Sequence, residues 1–315
     1  MRRLFFCLAF FSAIGLYAQI PIALIIDGLD YAAENVWRPD WPLEIPPDAF
    51  KFQSGEIYRC EVVGEDLFLE FRIGREGEIE RYPFMLNGRM AQVSIVYGQS
   101  SRIVEMVLNF ASGEDPWRLE VLEHRNSYPF LVRGSSGGVW YFIYLTQTVN
   151  EIHETWHDVD GNFLGAYSYS LTEIDQKSRI RTIRDFSNTE ETTEFFYDSR
   201  GFITDISGPY GFFRALYYRD KLPRYWERRP ANGASGTGLG SSVGNFILQW
   251  DANDALIRTT GLAENEGRSL DHRYEYDIDE NGNWIERLEL QMVRIYDLLV
   301  GTPGNTFRRF LEYSE

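Results

Sequence analysis

From about residue 51 onward, apolar and polar side chains alternate along short runs. In LFLEFRI (67–73), Leu67, Leu69, Phe71 and Ile73 share one phase, and Glu70 and Arg72 fall in the other. AQVSIVYG (91–98), VWYFIYLTQTV (139–149), GAYSYSLTEI (165–174) and NFILQWD (245–251) are likewise rich in β-branched and aromatic residues, the composition of strands. Between the runs lie REGE (75–78), SGEDP (112–116), SSGG (135–138), DVDGN (158–162), DSRG (198–201) and DENGN (279–283). Each supplies Gly, Asp, Asn or Ser where a tight turn needs positive φ or a side-chain acceptor. The pattern predicts an all-β domain over 51–315, an antiparallel meander of consecutive β-hairpins forming one large twisted sheet or a sandwich.

Two segments break the alternation. Between Asp27 and Trp37, Leu29, Ala32, Ala33 and Val36 recur at helical spacing, which predicts a short helix. Pro39, Pro42, Pro46 and Pro47 then exclude continuous regular structure, so 19–50 reads as a Pro-rich lead-in with a short helix or extended segment. RPANGASGTGLGSSVGN (229–245) carries five glycines and three serines and reads as a flexible loop. No Gly-Lys-Ser/Thr occurs in it, and Val243 stands where a dinucleotide-binding loop needs glycine.

At the N-terminus Arg2 and Arg3 precede an apolar run from Leu4 to Leu16, and Ala18 offers a small residue for cleavage before Gln19. That is the layout of a secretory signal peptide over 1–18, too short to span a bilayer as a helix. The expected setting is therefore outside the cytoplasm, in the periplasm or at the cell surface. Cleavage would leave Cys60 as the only cysteine, which forms no internal disulfide. The remaining 29 basic and 47 acidic side chains give a net charge of about −18, which disfavours nucleic acid and anionic surfaces as partners. No later run is long and apolar enough for a transmembrane helix.

Four stretches share an outline in which an aromatic residue or His precedes an Asp, turn residues follow, and an apolar residue opens the returning strand. They are TWHDVDGNFLGAYS (155–168), FFYDSRGFITDIS (195–207), LQWDANDALIRTT (248–260) and YEYDIDENGNWIERLEL (274–290). Asp158, Asp198, Asp251 and Asp277 are placed to accept backbone N–H bonds, and Gly161, Gly201 and Gly282 to adopt positive φ. Tyr274-Glu275-Tyr276-Asp277 with Gly282-Asn283-Trp284, and Phe196-Tyr197-Asp198 with Gly201-Phe202-Ile203, carry the closest match. On these residues the chain resembles the YD repeats of bacterial RHS-type proteins over about 150–290. The resemblance implies curling β-sheets on an exported protein, and no catalytic residue comes with it. The repeats here are few and unevenly spaced, and Asp254 takes the glycine position of the third, so the family's encapsulating role does not carry over.

HETWH (153–157) spells H-E-x-x-H, in which a helix would aim His153 and His157 at zinc and Glu154 at its water. Val149, Ile152, His153 and Trp156 do fall at helical spacing. Yet the repeat outline puts His157 at the end of a strand, and on a strand the two imidazoles would stand about 13 Å apart. A third ligand is also hard to supply. Asp160 and Phe163 stand where one zinc family continues with Gly and His, Glu173 and Glu190 sit in no second motif, and His124 and His272 lack spaced partners.

The leading expectation is thus an exported, non-enzymatic binding or scaffold protein without a cofactor. Its candidate ligand surface is aromatic, at Tyr197, Trp250, Tyr274, Tyr276 and Trp284, for a carbohydrate or protein of the cell envelope. One alternative is a zinc metallopeptidase using His153, Glu154 and His157. The second is an outer-membrane β-barrel, for which alternating aromatic strands are also expected, although the chain ends Phe310-Leu311-Glu312-Tyr313-Ser314-Glu315 without a terminal aromatic.

Overall fold

The structure, a computed structural model, describes residues 22–33 and, apart from residues 231–243 and short loop segments, residues 57–313. The signal peptide, the four prolines of the lead-in and most of the Gly/Ser loop lie outside the described residues. Among the described residues one α-helix, α1 (Ile22–Ala33), precedes twenty strands. It begins at Ile22, ahead of the Asp27 start expected from spacing, because Ile22, Ala23, Leu24 and Ile25 are all buried.

The first ten strands are β1 (Ile57–Val63), β2 (Phe68–Ile73), β3 (Ile79–Leu86), β4 (Arg89–Tyr97), β5 (Ile103–Phe110), β6 (Trp117–Arg125), β7 (Tyr128–Ser136), β8 (Val139–Gln147), β9 (Glu151–Asp158) and β10 (Phe163–Ile174). Next come β11 (Lys177–Asp185), β12 (Glu191–Tyr197), β13 (Ile203–Gly208), β14 (Gly211–Tyr217) and β15 (Pro223–Pro230). The last five are β16 (Gly244–Trp250), β17 (Leu256–Ala263), β18 (Arg268–Ile278), β19 (Trp284–Ile295) and β20 (Leu298–Tyr313).

Each strand pairs antiparallel with the next, and β1 also pairs with β20, from Ile57 opposite Tyr313 to Val63 opposite Arg308. The meander therefore closes on itself. The open sheet or sandwich expected from sequence is wrong, and the fold is a closed up-and-down barrel that leaves no free sheet edge at the seam. Closure depends on a pairing between residues some 250 positions apart. No local pattern encodes it.

The two faces of the wall are chemically distinct. Inward side chains are mostly apolar: Cys60, Val62, Leu69, Phe71, Ala91, Val93, Met106, Leu108, Leu119, Val132 and Ile143 are each no more than 2% exposed, with Glu154, Arg228, Arg287 and Arg309 buried among them. Outward side chains form cross-strand ion pairs, including Arg133 with Glu120, Arg214 with Asp205 at 2.7 Å, Arg258 with Asp271 at 2.8 Å and Arg308 with Glu286 at 2.9 Å. At the closing seam Arg59 bonds Glu312 at 2.8 Å across to β20 and Glu70 at 3.0 Å across to β2, while Arg81 reaches the same Glu70 from β3. Such pairs contribute only about 0–1 kcal/mol each when exposed. A shared network around the buried Glu70 links the four strands β20, β1, β2 and β3 at the join.

Small residues let aromatic rings lie across the inner wall. Gly134 faces Tyr141 and Gly261 faces Phe246 in the pairings β7–β8 and β16–β17. A methyl group on Gly134 would stand 2.0 Å from the Tyr141 ring. The ring thus covers a strand position that has no side chain of its own, which offsets the weakness of glycine in a sheet.

Candidate functional site: the buried Glu154 and the inner wall

The HETWH segment is a strand. Along β9, Ile152, Glu154 and Trp156 point inward and are buried, while His153, Thr155 and His157 alternate outward. The Nε2 of His153 lies 3.2 Å from Glu151, and the Nδ1 of His157 lies 3.3 Å from the Gly161 carbonyl oxygen. The His157 ring packs edge-on against Tyr144 and Phe163. The two imidazoles and the carboxylate leave opposite faces of the wall, so they do not converge as a zinc peptidase site requires. Among the described residues no group of three or more His, Cys, Asp or Glu is placed to hold a metal ion.

Glu154 has a different task. It is fully buried and receives the start of α1: the Ile22 N–H donates to both carboxylate oxygens at 3.2 and 3.0 Å, and the Ala23 N–H donates at 3.3 Å. Trp156 Nε1–H donates at 2.7 Å and the Tyr169 hydroxyl at 3.2 Å. A helix leaves its first N–H groups unsatisfied and carries a partial positive charge there, so a carboxylate at this end is favoured on both counts. Across the interior, the Tyr82 hydroxyl on β3 donates to the Ile25 carbonyl oxygen at 2.5 Å. The helix is thereby tied to the walls at β9 and β3.

Burial dominates the acidity of Glu154, raising its pKa to about 7, while the Trp156, Ile22, Ala23 and Tyr169 donors pull it down. Every donor comes from the chain itself. The group acts as an internal cap and anchor. Beside it, Tyr141 and Trp156 rings lie 5.0 Å apart, with Trp117 at 5.8 Å from Tyr141 and 6.4 Å from Trp156.

The aromatic residues expected to form an open ligand surface belong to the inner wall. The Tyr197 hydroxyl donates to the Ile180 carbonyl, Tyr276 to Leu256 at 2.6 Å, and Trp250 Nε1–H to Pro223 at 2.7 Å. Tyr97 and Tyr217 make the same kind of bond to Ile79 and Ile203. Tyr274 bonds Thr259, and the buried Trp284 has the Arg309 guanidinium 4.4 Å from its centroid. Arg287 is held between Tyr274 and Phe307 in the same way. These aromatics latch one hairpin to the next and pack against the inner clusters, not on an outward-facing sheet. Tyr276→Phe is expected to cost about 1 kcal/mol, the net worth of one hydrogen bond, read as a lower urea midpoint with an unchanged slope.

The turns repeat one geometry. Asp158, Asp198 and Asp251 each accept the backbone N–H bonds of the residues two and four ahead, through Oδ1. Gly161, Gly201 and Gly282 have φ of 85°, 86° and 80°. In the last repeat this carboxylate is Asp279, bonded to Asn281 and Asn283. Asp277 lies two residues earlier, in β18 opposite Glu286. The two-residue offset arises because Ile278 continues the strand.

No family model matches the chain, and no curated protein matches it. Among solved structures, a porin-like protein from Bacteroides uniformis aligns at 10% identity and a TM-score of 0.32, over 81% of this chain and 98% of that one. A porin-like protein from Bacteroides vulgatus aligns at 9% identity and a TM-score of 0.24, over 83% of this chain and 99% of that one. A TcdB2-TccC3-Cdc42 structure aligns at 10% identity and a TM-score of 0.30, over 75% of this chain and 19% of that one. Likenesses this weak identify neither a family nor an activity.

Sequence reasoning missed the role of Glu154 and its partners Ile22, Ala23, Trp156 and Tyr169. The signal was present: an acid stands in the apolar phase of Ile152, Glu154 and Trp156. Among the described residues no helix is long and apolar enough to cross a bilayer. A closed barrel can cross with strands, so the lack of such a helix says nothing against the membrane.

Proposed function

We propose that the protein is a filled β-barrel of the cell envelope, a closed wall that holds α1 in its interior and faces water on its outside. One observation carries this reading: the inside is largely apolar and packed, while cross-strand ion pairs stand among the exposed side chains of the outside. The buried Ile22–Ile25 segment and its Glu154 anchor fill the interior beside β3 and β9. The body is a rigid support rather than an open conduit.

Closure itself favours a second reading, the outer-membrane barrel, because strands cross a bilayer only in closed form. It fits the β1–β20 seam better than any open scaffold does. The readings differ at the outer wall, where lipid contact would bring Arg59, Arg81, Arg214 and Arg258 toward hydrocarbon at about 2–4 kcal/mol per arginine at mid-depth. Alkaline carbonate extraction of cell membranes, followed by gel mobility with and without boiling, separates them. The water-facing barrel is released by carbonate. Retention in the membrane, with heat-modifiable mobility, establishes the spanning barrel instead.

A further inference from the structure

The last hairpin parts from its neighbours toward its tip. Pairing of β18 with β19 ends at His272 opposite Gln291, and pairing of β1 with β20 ends at Val63 opposite Arg308. Beyond those points β19 and β20 pair only with each other among the described residues, from Met292 opposite Gly301 to Ile295 opposite Leu298. Residues 298–306 are all exposed. Near the tip Tyr296 is 94% exposed, Leu298 71% and Ile295 50%, with Leu299, Val293 and Val300 behind them at 38–44%. Tyr296 also has φ of 54°, the left-handed conformation that a two-residue connection between paired strands requires. The Tyr296 ring is left in full solvent at a hairpin end, where it is available to an external apolar surface.

From these observations we infer that the β19–β20 ribbon is a lipid-contact site that inserts its tip into the interfacial region of a bilayer with zwitterionic headgroups. The proposal rests on the water-facing reading of the barrel. The distance from Gln291 to the tip is about 15 Å at ~3.4 Å per residue, and spanning would take about 9–11 residues per strand. The ribbon therefore reaches into one leaflet and cannot cross. Shallow insertion, about 5–10 Å deep, keeps its unpaired backbone edges in contact with water and headgroups.

Charge selects the kind of lipid. The sequence from Met292 to Val300 holds one Arg and one Asp, against a formal net charge of −16 for the whole chain. An anionic surface would repel the acidic body while gaining little from the neutral tip. A second copy of the chain is the weaker occupant. Six apolar side chains fall far short of the roughly 20–30 residues a side of a standard interface. Pro303, between Gly301 and Gly304 on β20, blunts that edge against strand addition.

The test uses the full mature chain in flotation with phosphatidylcholine vesicles, and with vesicles containing equal parts phosphatidylglycerol. Flotation on phosphatidylcholine is expected, with at least tenfold weaker binding on the anionic mixture at low salt. The double variant Ile295→Asp with Leu298→Asp is expected to lose flotation at least tenfold while keeping the wild-type circular dichroism and urea midpoint. In Tyr296→Trp, brominated acyl chains should quench emission beyond that of the wild type. Absence of flotation, or flotation unchanged in the double variant, overturns the proposal. So does a dimer in sedimentation that dissolves with the same variant. A chain that resists carbonate extraction even in the double variant instead refutes the water-facing barrel, which separates the two failures.

Discussion

Replacing Glu154 with leucine is expected to lower the free energy of unfolding by about 4 kcal/mol. The estimate follows from the donors left behind in the interior. The Ile22 and Ala23 N–H groups, Trp156 Nε1–H and the Tyr169 hydroxyl all point at this carboxylate, and each buried donor without a partner costs about 1–3 kcal/mol. Glu154→Gln keeps one carbonyl oxygen for those donors and turns its amide against the rest, so about half of the loss is expected. Urea unfolding of both variants, followed by Trp emission, measures the difference. Limited proteolysis between Ile22 and Ala33 reports whether α1 detaches first. Equal midpoints for the wild type and the leucine variant would show that the helix is held by its apolar contacts alone.

The same carboxyl makes stability depend on pH in an uncommon direction. Its folded pKa of about 7 lies above the ordinary value of 4.5 because burial penalises the charge. Between those two values the folded state binds more protons than the unfolded one. Stability from this group is therefore fully present below about pH 4.5, falls as pH rises through the window, and is lost above pH 7. The swing is about 3 kcal/mol by linkage. Most carboxylates act oppositely, so the comparison to make is wild type against Glu154→Gln. Their stability gap should widen as pH falls from 8 toward 5. A gap that stays constant or narrows would mean that Glu154 is ionised throughout and that α1 fully compensates its burial.

The wall was legible in the sequence because its code is local. Alternation in WRLEVLEHR fixes which side chains face in, and Asp198 or Asp251 fixes a turn through bonds only two and four residues long. Closure was not legible, since Cys60 and Leu311 meet across the seam with nothing nearby to announce it. The aromatic outline at Tyr197 and Tyr276 was visible, but its orientation was not. A Tyr at a strand end reads equally as an exposed platform or as an inward latch, and the carbonyl it bonds lies about twenty residues away on another hairpin. HETWH misleads for a related reason. A motif specifies spacing, while the strand decides that Glu154 turns away from His153 and His157.

Gly261→Ala is expected to destabilise the barrel by about 3 kcal/mol, at the upper end of the usual cost of overpacking. A methyl group there would stand 2.1 Å from the Asn245 carbonyl oxygen and 2.7 Å from the Phe246 ring. The closer obstacle is backbone, which cannot swing aside as a side-chain end can. Relief requires β16 and β17 to part where Gly261 faces Phe246, and Phe246 belongs with Trp226, Leu248 and Leu256 to the second apolar cluster of the interior. The loss should therefore appear as faster hydrogen exchange in β15, β16 and β17 as well as a lower urea midpoint. Gly301→Ala supplies the contrast on the same fold. Its nearest neighbour would be the Met292 sulfur at 3.4 Å on the exposed ribbon, so a change within about 0.5 kcal/mol is expected. If both substitutions cost the same, glycine would matter in this sheet through the freedom of the unfolded chain, and the close approach of β16 to β17 would not be what fixes residue 261.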